Sequence, residues 1–307
     1  MKLRENWPIT LAANDVLRRL WSSAKTINQL NQSIIAFENI ITPAEARTFN
    51  SDMEARANPE TNVWFSREAE WRTQFAELSS VTGFSYSHDF VRVWHRPSAT
   101  LFRTAGFGSR TPKRLVVLFT GGLNRMMVPS WVFLAHLPRR PAYVLMLRGG
   151  WEFYVAGLPG LSNDFSSTVE WIRDFAEAEG LTIDTVMGSS GGSLPASRAG
   201  HALGARRRLL FGLPRVSDDE IARFPLTGDF GRSSEPVSDR GRGLTLFAGG
   251  EHARDIETAA EARRRLPRAK VVVVNGADHN VVEPLARRGE LHRLLQKHSG
   301  TRLNLWS

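Results

Sequence analysis

The chain has 307 residues, 42% of them hydrophobic, enough to bury a large core in one sizeable domain or in a domain with an appendage. It contains no cysteine, which excludes disulfides and thiolate metal sites. The net charge of +9 comes almost wholly from arginine spread along the chain, in clusters such as "ARRRLL" and "EARRRLPRAK" that read as solvated helix ends, and with no nucleic-acid motif beside them a nucleic-acid partner is not expected.

The opening stretch "MKLRENWPITLAANDVLRRLW" is broken by Glu5 and Asp15 and does not read as a secretory signal. No apolar run approaches the roughly 20 residues that a membrane span needs. The expectation is a soluble, cytoplasmic protein. Residues 1–85 read as a helical N-terminal extension. In "DVLRRLWSSAKTINQLNQSIIAF", Val16, Leu17, Leu20, Trp21, Ile27 and Leu30 fall near helical spacing. "TPAE" is a helix start, with Thr42 as cap, Pro43 in the first position and Glu45 closing a capping box. "SREAEWRTQFAEL", from Ser66, predicts another capped helix.

Residues 86–307 carry a different pattern. "DFVRVWHRP" reads as a strand with Val91, Val93 and His95 on one face and Phe90, Arg92 and Trp94 on the other, and "ATLFRTAGFG" completes a β-hairpin. From Leu115 short apolar runs recur: "RLVVLFTGG", "AYVLMLRGG", "DTVMGSSGG", "RRLLFGLPR", "LTLFAGGE" and "KVVVVNGADH". Helix-like segments lie between several of them, notably "DFSSTVEWIRDFAEAEG". Buried runs alternating with helices imply a mostly parallel sheet with helices on both faces, an α/β fold whose site lies at the carboxyl ends of the strands. The irregular stretch 212–243 is too long for a plain connection and reads as a possible flap or small cap.

"VMGSSGGS" holds the main chemical signal. Gly188, Ser190 and Gly192 fit G-x-S-x-G, after a strand-like run and before helical composition. At such a turn the serine backbone is strained and its neighbours crowd strand and helix, so residues without a Cβ are needed beside it. Ser190 is thus the candidate nucleophile, and the Gly191 N–H a candidate oxyanion donor. The second donor is expected from "FTGGLN", at Gly122 or Leu123. Of the eight histidines, His279 alone follows a strongly strand-like run late in the chain, where the order nucleophile, acid, base puts the general base. For the acid, Glu251 lies at the end of "LTLFAGG" and is preferred; Asp255 is the alternative, although it also suits a helix cap, and Asp218 or Asp219 is a minor third.

On "GSSGG", "LFTGG", "LFAGGE" and "NGADH" in this order, the chain resembles the α/β-hydrolase superfamily over about residues 88–300. The resemblance implies an eight-stranded, mostly parallel sheet opening with an antiparallel hairpin. It also implies hydrolysis of a carboxylic ester, thioester or amide through an acyl-enzyme on Ser190, as in serine carboxylesterases and deacylases, with no metal and no cofactor. Many members have His-Gly where this chain has Thr120-Gly121. The same machinery also suits an acyltransferase, and the scaffold alone suits a non-catalytic binding protein. Trp151, Phe153 and Tyr154 follow a strand at the same sheet edge and either line an acyl or sugar pocket or pack beneath a loop; Arg125 and Arg148 either meet an anionic group or stay exposed. The expected partner is a small-molecule or saccharide acyl ester.

Overall fold

The computed structural model describes residues 25–54, 63–82, 90–105, 114–138, 142–149, 151–212 and 243–298. All six later apolar runs form strands: β3 (Arg114–Phe119), β4 (Ala142–Leu147), β5 (Thr182–Ser189), β6 (Arg207–Phe211), β7 (Leu244–Gly249) and β8 (Lys270–Val274). They pair in parallel. The hairpin of β1 (Phe90–Arg96) and β2 (Ala99–Thr104) precedes them, and β2 runs antiparallel to both β1 and β4. The eight-stranded sheet has the order β1-β2-β4-β3-β5-β6-β7-β8.

Both faces of the sheet are covered, which is why its central strands are apolar at nearly every position. In β3, Leu115, Val117 and Phe119 enter one apolar cluster and Leu118 enters the other. The two-face assignment expected for β1 does not hold along its whole length. The register shifts between Arg92 and Trp94, so an extra residue bulges at Val93. Phe90 therefore joins one cluster while Trp94 packs against the opposite one, beside Trp171 and Phe175.

The helices divide between the two faces. On one lie α5 (Trp151–Ala156), α6 (Phe165–Ala178), α7 (Ser193–Ala202) and α8 (Ala253–Arg265), which contribute Tyr154, Ile172, Leu194 and Ala262 to a common cluster. The other face is covered by α4 (Ser130–His136), α9 (Val282–Arg287) and α10 (Leu291–His298), together with the N-terminal helices α1 (Ile27–Glu38) and α3 (Val63–Thr82). Leu30, Ile34 and Phe37 of α1 and Trp71 and Phe75 of α3 are buried in the same cluster as Trp131 of α4. Phe75 stacks at a tilt on Trp131, with centroids 4.7 Å apart. Each such aromatic contributes about 1.5–3 kcal/mol through burial. The N-terminal helices thus share the main core.

Between α1 and α3 lies α2 (Pro43–Glu54), opened by the expected capping box. The Thr42 N–H donates to Glu45 Oε2 at 2.7 Å and the Glu45 N–H to Thr42 Oγ1 at 3.2 Å. Helix α3 begins at Val63, ahead of the start expected at Ser66. Val16, Leu17, Leu20 and Trp21 lie outside the described residues, as do 213–242 of the expected flap, with Asp218 and Asp219. Among the described residues no helix is long and apolar enough to cross a membrane.

Candidate active site

Strand β5 ends in a sharp turn that runs through a short 3-10 segment, Ser190–Gly192, into α7. Ser190 has φ 47°, in the left-handed region. For a residue with a Cβ this costs about 1–3 kcal/mol and persists only where the surroundings enforce it. The flanking glycines are part of that enforcement. A Cβ on Gly188 would meet the Gly192 carbonyl oxygen at 2.4 Å, and one on Gly192 would meet the Phe119 carbonyl oxygen at 2.3 Å. Strand, turn and helix therefore pack more closely than side chains allow. Pro195 falls in the first turn of α7, where its missing N–H has no intrahelical acceptor to lose.

His279 follows β8 and stands over this turn. Its Nε2 lies 3.0 Å from Ser190 Oγ, and its Nδ1 lies 2.8 Å from Asp255 Oδ1. A carboxylate can only accept, so Nδ1 carries the proton in the neutral ring and Nε2 is left to accept from the serine hydroxyl. Ser190 and His279 are 89 residues apart in the chain, and both remain partly exposed.

The carboxylate at the ring belongs to Asp255 and not to Glu251, the acid preferred from sequence. Glu251 is exposed on the turn after β7, its N–H bound to the Ala277 carbonyl. The chain then bends back, and His252 takes the cap position of α8; its Nδ1 faces the Asp255 carboxylate, which can only accept, so that nitrogen donates. Relieved of capping, Asp255 sits in the first turn with its carboxylate 1% exposed. Its Oδ2 accepts from the Gly249 N–H at 3.0 Å, and its Oδ1 lies 2.9 Å from His252 Nδ1. His252 is a neighbour that sequence reading passed over; its spacing of three residues from Asp255 at a helix start is the signal that marks it.

These contacts set the charges. Burial works against ionising Asp255, but hydrogen bonds from His279, Gly249 and His252 outweigh it and hold its pKa below the usual carboxylate value. The hydrogen bond to Asp255 raises the His279 pKa above the ordinary imidazole value; burial opposes the rise, and the charges of Asp255 and Asp278 add to it. An imidazole so placed takes up a proton readily, as a general base must.

The loop after β3 lies against Ser190. A Cβ on Gly121 would come within 3.1 Å of Ser190 Cβ. The Gly121 N–H is engaged by Ser189 Oγ at 3.1 Å and the Arg125 carbonyl at 3.2 Å. The next N–H groups along the loop are those of Gly122 and Leu123, both exposed. Asn280, beside the histidine, donates from Nδ2 to the Met127 carbonyl at 3.0 Å.

Other sequence candidates stand elsewhere. Tyr154 takes the packing alternative: it is fully buried against Phe119, and its hydroxyl faces the Thr120 and Leu147 carbonyls at 3.0 and 3.1 Å. Burial pushes its pKa well above the ordinary phenol value, so it acts as a hydrogen-bonded part of the core. The side chains of Trp151 and Phe153 lie outside the described residues. Arg125 pairs with Glu38, and Arg148 is buried with Nη2 3.0 Å from His95 Nδ1. Among the described residues His252, Asp255 and His279 bring their ligand-type atoms within 4.8 Å of one another, a group that could hold a metal ion, but hydrogen bonds already account for its geometry.

The strand order, the hairpin before it and the strained serine turn at the end of β5 together define an α/β-hydrolase fold. No protein-family model matches the sequence, and no curated protein matches it. Solved structures do resemble it. Naproxen esterase (carboxylesterase NP) from Bacillus subtilis is 13% identical, with 78% of this chain and 99% of that one covered at a TM-score of 0.46. Carboxylesterase CesB (YbfK) from Bacillus subtilis is 12% identical, covering 73% and 96% at 0.43. A predicted CIB-like hydrolase from Thermoplasma acidophilum is 13% identical, covering 66% and 93% at 0.44. Likenesses this distant leave the chemistry to be argued from the chain's own side chains.

Proposed function

We propose that the protein is a serine hydrolase that cleaves a carboxylic ester, or a related thioester or amide, through an acyl-enzyme on Ser190. The observation that carries this reading is the single imidazole spanning Ser190 Oγ and Asp255 Oδ1. As Ser190 Oγ attacks the substrate carbonyl carbon, its proton passes to His279 Nε2. The imidazolium is stabilised by Asp255, and the tetrahedral oxyanion accepts from the Gly191 N–H and from that of Gly122 or Leu123. His279 then protonates the leaving group, giving an ester of Ser190 and free alcohol. Water, deprotonated by the same imidazole, attacks that ester and releases the acid.

A fluorophosphonate probe tests the reading, because it phosphylates activated serines. The folded wild-type protein should be labelled and should hydrolyse a short-chain p-nitrophenyl ester, and Ser190→Ala and His279→Ala should do neither. A folded wild type that resists the probe would overturn the proposal. Adding alcohol acceptors to the ester assay separates hydrolysis from acyl transfer.

A further inference from the structure

The N-terminal helices reach the loop beside the nucleophile through two adjacent residues at the end of α1. Asn39, which follows the last turn of the helix, is buried and donates from Nδ2 to the Leu123 carbonyl at 2.9 Å. Glu38 is only 6% exposed. Its Oε1 accepts from Trp71 Nε1 at 2.8 Å, and its Oε2 lies 3.3 Å from Arg125 Nη1. Burial pushes the Glu38 pKa up, while the Trp71 hydrogen bond and the Arg125 charge pull against that rise. A carboxylate is costly to keep inside an apolar layer unless its partners are well placed. Here one partner is a loop arginine 87 positions away.

The loop needs such support. Leu123 and Asn124 have φ 61° and 55°, two successive non-glycine residues in the left-handed region. L residues leave that region when nothing holds them there. Leu123 itself contributes little anchoring, because its side chain is 54% exposed. What fixes the loop is its main chain: the Leu123 carbonyl is bound by Asn39, and the Arg125 carbonyl accepts from the Gly121 N–H and from Ser189 Oγ, both at 3.2 Å. Pinning the peptide after Leu123 and holding its φ positive also fixes the peptide before it, whose N–H is one of the two second-donor candidates.

We infer that Asn39 and Glu38 are positioning residues: they hold the loop so that the Gly122 or Leu123 N–H faces the oxygen of a carbonyl under attack by Ser190. Neither touches substrate. The inference rests on the acyl-enzyme reading above and gives the N-terminal helices a part in catalysis as well as in the core.

The test uses the full chain and the variants Asn39→Ala and Glu38→Gln. The second keeps the side-chain volume and an acceptor for Trp71, so it carries the test should Asn39→Ala fail to fold. Fluorophosphonate titration counts competent active sites, and p-nitrophenyl acetate gives kcat per titrated site and KM. Loss of an oxyanion donor costs about 100- to 1,000-fold in kcat, so a donor that is only loosened should cost about 10- to 100-fold in Asn39→Ala and less in Glu38→Gln. KM should stay nearly constant, and affinity for a trifluoromethyl ketone, which mimics the tetrahedral state, should fall in step with kcat/KM. Fewer titratable sites with unchanged kcat per site would mean a purely structural role and would overturn the inference, as would variants indistinguishable from wild type. A wild type that the probe does not label removes the enzymatic reading itself, and this inference with it.

Discussion

The turn after β5 and the turn after β3 both hold non-glycine residues at positive φ, Ser190 at 47° in one and Leu123 and Asn124 at 61° and 55° in the other. They differ in what enforces the strain. Around Ser190 part of the constraint is close in sequence: Gly188 lets strand and helix close on each other, and α7 starts at once, while Gly192 packs on the carbonyl of Phe119 at the end of β3. The loop after β3 relies on groups remote in sequence, Asn39 on Leu123 and Asn280 on Met127. The turn at Ser190 is thus shaped largely by residues beside it in the chain, whereas the loop after β3 depends on α1 and the segment after β8 having folded around it.

Perturbing each turn sharpens the contrast. The largest effect belongs to the short turn: Ser190→Ala should lower kcat about a millionfold in an ester assay. Next comes Asp255→Asn, expected to lower kcat about 10,000-fold by favouring the wrong tautomer of His279, while the exposed change Glu251→Gln leaves the rate nearly intact. The reverse ranking would restore Glu251 as the acid. The pH profile gives a further check. Only neutral His279 accepts the serine proton, and its pKa is raised above the ordinary 6.5, so kcat/KM should climb with pH to a plateau through a midpoint above 6.5. Removing the Asp255 charge should move the midpoint of any residual activity downward.

Smaller effects separate the two turns by stability. Gly192→Ala puts a Cβ 2.3 Å from the Phe119 carbonyl oxygen. It should destabilise the protein by about 1–3 kcal/mol, read as a lower urea midpoint. Leu123→Gly removes a mostly exposed side chain and relieves the positive φ; the urea midpoint should move by less than about 1 kcal/mol equivalent, with kcat falling severalfold. A large loss of stability in Leu123→Gly would show that the loop is held by its own side chain.

The same contrast explains what could be read from the sequence. All eight strands were legible, because buried runs closed by glycine are local patterns, and so was the G-x-S-x-G turn. The preference for Glu251 failed on a local point: proximity to the strand end says nothing about the direction in which a carboxylate points. His252 takes the cap that sequence assigned to Asp255, and the helix turn then carries Asp255 beneath the ring. The bulge in β1 escaped because no residue in "DFVRVWHRP" marks it. For Tyr154 the sequence left pocket and packing open, because composition cannot tell a hydroxyl that meets a ligand from one that meets the backbone carbonyls of Thr120 and Leu147. Asn39 and Glu38 carry no motif at all, and only the packing of α1 against the sheet brings them to Arg125 and Leu123.

His279 and Asn280 are consecutive, yet the ring of the first meets Ser190 while the amide of the second is tied to the far end of the loop after β3. The imidazole at Ser190 and the loop after β3 therefore hang from a single short span of polypeptide. A deletion or insertion between β8 and α9 would displace both together, so this connection tolerates far less variation in length than a surface loop of its size ordinarily does.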